Sequence, residues 1–163
     1  MIEEQRTNLL IYSAQFDNAA WGKNDVTVTA NAIIAPDGTL TADAIVETAT
    51  TSQFAVFQPY PFTSGVTYTG SVYVKAGTRT KVAVYLQSLA FGTNKGIVVD
   101  VSNGAFVTNV SAPSNYSIVS VGNGWYRISV TDAASSSEAA SFTVSIVNDA
   151  NQLTYTGDGT SGL

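Results

Sequence analysis

The feature that most constrains this sequence is a series of short segments in which apolar and polar residues alternate, each ended by residues that favour turns. Residues 122–130 are the clearest case, because Gly-Asn-Gly precedes an alternating run. Asn and Gly accept the positive φ angles of tight hairpin turns. Alternate side chains starting at Tyr126 should point to one face, predicted to be core, and those starting at Trp125, including Arg127, to the other.

Segments of this kind predict about ten β-strands and no amphipathic helix. The best of them cover residues 26–30, 41–47, 54–58, 66–75, 81–89, 97–101, 105–110, 116–121, 125–131 and 142–148, with a shorter one at 153–155. Asn103-Gly104 and Asn123-Gly124 predict hairpin turns. Short strands at regular spacing are typical of a sandwich or jelly roll. The predicted fold is therefore all-β, a single jelly-roll β-sandwich of two antiparallel sheets spanning residues 1–163.

The start of the chain admits two interpretations. Residues 8–12 are mostly apolar and predict a first strand, followed by a loop that carries Phe16 and Trp21 into the core. A short helix at residues 16–20, capped by Ser13, is the alternative.

Composition and charge exclude several classes of protein. The 163 residues suit one domain, and 12% charged residues with 45% hydrophobic ones do not fit a disordered chain. A net charge of −5 argues against a nucleic-acid partner, which requires a basic surface. There is no cysteine to form disulfides, and no apolar run is long enough to insert in a membrane. The acidic, polar residues 1–6 are not typical of a secretory signal.

The residues that most enzymes use are missing. Without His or Cys the chain lacks the commonest general base, the commonest nucleophile–base pairs and the usual zinc ligands. A pair of carboxylates, as in glycosidases, remains as a catalytic alternative, but the aspartates lie mostly at predicted turns. Asp17 and Asp158 are weak candidates for a structural calcium site. We therefore predict a protein that is not an enzyme and has no cofactor.

The aromatic residues point to binding. Tyr73, Tyr85 and Trp125 all fall on the face opposite the apolar one of their strands, near Gln87 and Arg127. If these strands share a sheet, rings beside amide and guanidinium donors suit a sugar, because a ring covers the C–H face and polar groups bind the hydroxyls. Alternatively, the rings cover a sheet edge, pack under a loop or lie in a subunit contact.

Five stretches resemble parts of a domain that recurs in tailed-bacteriophage tail-fibre and other virion proteins. They are the Thr-Asn-Leu-Leu opening with its Phe and Trp (residues 7–21), residues 35–43, residues 68–76, Gly-Asn-Gly-Trp-Tyr-Arg (residues 122–127) and Tyr-Thr-Gly-Asp-Gly-Thr-Ser-Gly (residues 155–162). The domain is similar to jelly-roll carbohydrate-binding modules. In that family a segment usually precedes the equivalent of residues 2–6, and a last core strand follows the final motif. The resemblance thus implies an excised module, or a small virion protein whose final strand is lost or supplied by a neighbour.

From these observations we expect a non-catalytic virion protein on the particle surface that binds host-surface glycan from a tail fibre or similar appendage. The alternative is a capsid decoration or head-fibre protein that makes protein contacts. The expected partners are other virion proteins and host polysaccharide, and the virion context implies a homo-oligomer, with a trimer as the guess. The candidate ligand-binding residues are Tyr73, Tyr85, Gln87, Trp125 and Arg127.

Overall fold

The computed structural model describes residues 7–163, which form thirteen β-strands and one helix of four residues. The elements are β1 Gly22–Asn24, β2 Val26–Ile33, β3 Ala42–Glu47, β4 Thr51–Gln53, β5 Ala55–Pro61, β6 Thr67–Lys75, β7 Lys81–Leu86, α1 Ser88–Phe91, β8 Lys95–Asp100, β9 Ala105–Ser111, β10 Asn115–Gly122, β11 Trp125–Ala133, β12 Ala139–Val147 and β13 Thr154–Thr156. The predicted all-β class is confirmed.

The strands pair into four antiparallel sheets. One has six strands in the order β1-β5-β12-β7-β8-β9, and a second has three in the order β10-β11-β6. Strands β2 and β3 form a ribbon, as do β13 and β4. The structure therefore has several open antiparallel sheets, and a single jelly roll of two sheets stays a prediction.

The core lies between the six-stranded and three-stranded sheets. Val84 and Val144 from the first, together with Val72 and Ile128 from the second, belong to one buried apolar cluster. The two sheets approach closely enough that a Cβ added at Gly70 on β6 would lie 2.3 Å from the Phe142 ring on β12. The inward faces predicted for β6, β7 and β11 from their alternation are thus confirmed.

Both predicted hairpins are present. The β10–β11 turn has positive φ angles at Asn123 (54°) and Gly124 (79°), as a tight hairpin requires. The β8–β9 turn ends at Gly104, with φ of 74°. These turns are local, which is why the sequence alone could locate them.

The strand predicted at residues 8–12 is wrong, and so is the alternative helix at 16–20, because both segments form turns. The Asn8 side chain accepts the Leu10 amide, and Gln15 N–H donates to the Tyr12 carbonyl, so the backbone closes on itself. The inward plug is confirmed for Trp21, which is 3% exposed.

Two predicted strand ends differ from the structure. The strand predicted to continue to residue 89 stops at Leu86, and α1 follows. The prolines at positions 59 and 61 predicted an end at residue 58, yet β5 continues to Pro61. Strand β1 pairs with β5 only at Ala55–Phe57, so the β5 edge beside these prolines has no neighbouring strand. Because their missing N–H groups lie on that edge, the prolines cost no ladder hydrogen bond.

The end of the chain lies antiparallel beside β3. Ile45 and Leu163 exchange reciprocal backbone hydrogen bonds of 2.9 Å, and Val46 bridges Gly162. On its other side the Gly162 carbonyl accepts the Arg79 amide at 2.9 Å. Residues 161–163 therefore occupy a position between β3 and the connection after β6.

Candidate functional site

A small pocket lies on the outer face of the six-stranded sheet, the face turned away from the core. The ladder places Phe57 of β5, Thr143 of β12 and Tyr85 of β7 side by side in one row across three neighbouring strands. Gly22 of β1 continues the row, and a Cβ there would lie 2.3 Å from the Phe57 ring. The row thus places two aromatic rings on either side of a hydroxyl-bearing residue.

Three amide side chains border these rings. Asn24, Gln53 and Gln87 line the pocket with the aromatic row, and the pocket volume is about 180 Å³. Gln53 Nε2 donates to the Tyr85 hydroxyl at 2.6 Å. The amide of Ser141 donates to Gln87 Oε1 at 3.2 Å, and Asn24 Nδ2 donates to the Gln53 carbonyl. Each amide is therefore held by the fold at one of its two polar ends.

The opposite ends of these amides are available to a ligand. Among the described residues, Asn24 Oδ1, Gln53 Oε1 and Gln87 Nε2 have no protein hydrogen-bond partner. Burial raises the pKa of Tyr85, against hydrogen bonds with Gln53 and Thr143 that lower it, so its hydroxyl stays protonated at neutral pH. No charged residue lines the pocket. The arrangement suits an uncharged ligand that carries several hydroxyls.

The structure separates the five predicted ligand-binding residues into two groups. Tyr85 and Gln87 line this pocket, but Tyr85 is only 5% exposed and packs in a second buried cluster on the outer face of the sheet. Tyr73 and Arg127 are cross-strand partners on the outer face of the three-stranded sheet, and Trp125 is on that same face. The expected single surface is therefore not formed, because β7 and β6 belong to different sheets.

Trp125 and Tyr73 differ strongly in exposure. Trp125 is 7% exposed, whereas Tyr73 is 48% exposed. Arg127 Nη2 donates to the Ser71 hydroxyl at 3.1 Å, so its guanidinium lies along the sheet. Of the two predicted aromatic residues on this face, Tyr73 is therefore about half exposed and Trp125 is buried.

Five pocket residues, Ala55 among them, were not identified from the sequence. Asn24 and Gln53 lie on short strands that alternation did not predict, and Thr143 lies among small polar residues of β12. Phe57 lies within the strand predicted at residues 54–58 but was not among the candidate ligand-binding residues. Successive side chains of a strand point to opposite faces, so Phe57 points away from the core face that holds Val56. This alternation was the signal in the sequence that could have placed Phe57 on the outer face.

A second, larger opening separates β3 from β6. This cleft has a volume of about 1390 Å³ and reaches the core, because Leu86, Phe142 and Val144 form part of its lining. Strands β3 and β6 form its long sides, and Leu163 lies at one end.

Beside the Leu163 end of this cleft, a buried carboxylate is paired with an arginine. Arg79 donates through Nη2 to Glu47 Oε1 at 2.6 Å and through Nε to Oε2 at 3.1 Å. Although burial works to raise it, hydrogen bonds from Arg79, Tyr155 and the Asp158 amide together lower the pKa of Glu47. The cluster joins β3 to the C-terminal segment and is fully occupied by protein contacts.

The described residues contain no group of three or more side chains with metal-ligand character. The Asp158 carboxylate, named above as a weak calcium candidate, accepts hydrogen bonds from the amides of Thr160 and Ser161, each at 2.7 Å, within its own turn.

Comparison with known proteins does not assign the chain. No protein-family model matches it, and no curated protein matches its sequence. Within residues 7–163, no helix has the length and apolar character needed to cross a membrane.

Proposed function

We propose that this chain is a non-catalytic binding module with a single jelly-roll architecture of two sheets. In this architecture the β2–β3 ribbon and the three-stranded sheet are two parts of one second sheet, facing the six-stranded sheet. The position of residues 161–163, hydrogen-bonded to β3 on one side and to residue 79 on the other, supports this continuity.

The proposed ligand is a neutral sugar of a host-surface glycan, bound in the pocket on the six-stranded sheet. The observation that carries the proposal is the set of three amides with free polar ends around the half-buried Phe57 ring, with Tyr85 and Thr143 buried at the bottom of the pocket. Aromatic rings cover the C–H faces of a sugar, and amides bind its hydroxyls in either direction, as donor or acceptor.

The proposed setting is the surface of a bacteriophage virion, where the protein is carried by a tail fibre or similar appendage and contacts other virion proteins. The support is the resemblance of five stretches of the chain to virion domains, together with the pocket. A homo-oligomer, specifically a trimer, belongs to the same proposal.

The test is a screen of neutral monosaccharides and host polysaccharides by glycan array, followed by calorimetric titration of the sugars that bind. Asn24→Ala and Gln87→Ala should each weaken binding about fivefold, since one neutral hydrogen bond contributes about 1 kcal/mol. Tyr73→Ala, on the other sheet, is the matched control and should bind normally. Absence of binding to every saccharide would contradict the proposal, and so would loss of binding in Tyr73→Ala alone.

A capsid decoration or head-fibre protein is the second candidate. It is favoured by exposed apolar side chains around the turn of the β2–β3 ribbon, where Ile33, Ile34 and Leu40 are 43%, 54% and 56% exposed. Clustered apolar residues at the surface often mark protein contacts. Electron microscopy of labelled particles distinguishes the two, because a capsid lattice position excludes the fibre and a tail position excludes the decoration role.

A further inference from the structure

Gly22 and Phe57 lie directly opposite each other on β1 and β5, on the outer face of the six-stranded sheet. A Cβ added at Gly22 would lie 2.3, 2.4 and 2.8 Å from Cζ, Cε2 and Cε1 of the Phe57 ring. Because these three ring carbons are nearly equidistant from that position, it lies over the plane of the ring and not at its edge. The Phe57 ring therefore lies flat across β1, in a place that any side chain at residue 22 would obstruct.

A ring that lies flat on one strand turns its other face away from the sheet. Phe57 is half-buried and lines the pocket. Tyr85, the other aromatic residue of the lining, is only 5% exposed. Within residues 7–163, the outward face of Phe57 is thus the aromatic surface that the pocket offers to a ligand.

Asn24 lies beside this ring, on the same strand and the same face as Gly22 and about 6.6 Å further along. Its amide can take only one orientation, since Nδ2 donates to the backbone carbonyl of Gln53 and a flip would bring two acceptor oxygens together. Asn24 Oδ1 has no hydrogen-bond partner among the described residues. The rim of the ring therefore carries a fixed acceptor, which only a hydrogen-bond donor satisfies.

We propose that two residues of β1 set the specificity of the sugar site. Gly22 is a positioning residue, because its lack of a Cβ lets Phe57 lie flat, and a pyranose stacks one C–H face on that ring. Asn24 Oδ1 accepts a hydrogen bond from a hydroxyl at the rim of the stacked sugar. The ligand class is thus a neutral pyranose that lies parallel to the sheet, and acyclic polyols are excluded because they lack a rigid C–H face. This inference rests on the proposed function, since it takes the pocket to be a sugar site.

The position of the ring is testable without a ligand. A proton over an aromatic face is shielded, so one Hα resonance of Gly22 should lie upfield in the wild-type protein and move downfield in Phe57→Leu. Gly22→Ala should destabilise the protein, and the double variant Gly22→Ala/Phe57→Leu should recover most of that loss because the obstructed ring is absent. A Gly22 resonance that is unchanged in Phe57→Leu would overturn the inference and leave the sugar site itself standing.

Binding is tested by NMR titration with the methyl β-glycosides of glucose, galactose and mannose, and with glucitol as the acyclic control. We expect at least one glycoside to bind, with the C–H protons of one face shifted upfield, and glucitol not to bind. Phe57→Leu and Gly22→Ala should each weaken binding about tenfold, because both remove the flat aromatic face. Tyr73→Ala, which removes a half-exposed ring from the other sheet, is the matched control and should bind normally.

Monodeoxy derivatives of the glycoside that binds test the role of Asn24. One of them should bind the wild-type protein about fivefold more weakly than the parent glycoside, but bind Asn24→Ala as tightly as the parent does. Failure of every derivative to show this pattern would overturn the role of Asn24.

The outcomes separate this inference from the proposed function. Undiminished binding in Phe57→Leu, together with loss of binding in Gln87→Ala, would overturn the inference and leave a sugar site in the pocket. This comparison holds even if Gly22→Ala does not fold, since Phe57→Leu removes the ring without crowding β1. If no glycoside binds the wild-type protein, both the inference and the proposed function are overturned.

Discussion

The carboxylate of Glu47 and the guanidinium of Arg79 form a two-point ion pair between β3 and the connection that follows β6, with distances of 2.6 and 3.1 Å. The Glu47 side chain is fully buried and that of Arg79 is 17% exposed. The Tyr155 hydroxyl donates to the same carboxylate at 2.5 Å and the Asp158 amide at 3.0 Å. One buried residue therefore joins three parts of the chain that are distant in sequence.

Replacing Glu47 should destabilise the fold strongly. Glu47→Gln keeps the shape of the side chain but leaves the Arg79 guanidinium with only the half-exposed carboxylate of Asp158, 3.8 Å from Nη2, as a counter-charge. Breaking a buried pair costs about 3–5 kcal/mol. Because Arg79 retains some solvent contact, we expect the free energy of unfolding to fall by an amount near the lower end of this range. Urea unfolding measures the change. Glu138→Gln, at an exposed position, is the control and should change stability by less than about 0.5 kcal/mol. Equal effects of the two substitutions would contradict this role for the pair.

Lowering the pH should reduce the free energy of unfolding through protonation of Glu47. The pKa of Glu47 is lower in the folded state than its usual value near 4.5, so its contribution to stability is present above that value and is lost as the pH falls through the folded pKa. Urea unfolding at pH 7 down to pH 2 should show a decline that begins below about pH 4.5. Hydrogen bonds also lower the pKa of Asp100 and Asp158, so Glu47→Gln should reduce this decline without abolishing it. An unchanged pH profile in the variant would contradict the prediction.

The contact of Gly70 with Phe142 predicts a steric effect. A Cβ at position 70 would lie 2.3 Å from the ring, so Gly70→Ala should lose about 1–3 kcal/mol through overpacking. The neighbouring Ser71→Ala, on the outer face, serves as control. In a Phe142→Leu background the cost of Gly70→Ala should shrink, because the clashing ring is gone. Additive costs in a double-mutant cycle would show that the ring is not the cause.

Trp125 and Tyr73 should respond differently to truncation although they share a face. Trp125→Ala removes a side chain that is 7% exposed and should cost about 3 kcal/mol of unfolding free energy. Tyr73→Ala removes one that is 48% exposed and should cost much less. Chemical unfolding measures both changes. If the two variants lose equally small amounts of unfolding free energy, Trp125 is a surface residue, as alternation alone would suggest.

Sequence reasoning worked best where the determining contacts are local. The turn at Asn123-Gly124 and the inward faces of β6, β7 and β11 depend only on backbone preference and a period of two, and all were predictable. The strand expected at residues 8–12 failed because Asn8 bonds to the nearby backbone at Leu10, which competes with strand pairing.

The candidate pocket was only partly predictable. Tyr85 and Gln87 were identified as outward residues of one strand, but their companions come from segments about 30 to 60 residues away. Phe57 and Thr143 became neighbours of Tyr85 only because β12 pairs between β5 and β7.

By itself the sequence determined the all-β class, the hairpin turns and the face on which each side chain of a regular strand lies. The tertiary structure decided which strands are neighbours, and thereby placed Tyr85 and Tyr73 on different sheets, paired Glu47 with Arg79 and left a cleft beside β3. The physical reason is that alternation sets the direction of a side chain locally, whereas backbone ladders carry little sequence information. The order of the strands is therefore selected by packing of the whole core.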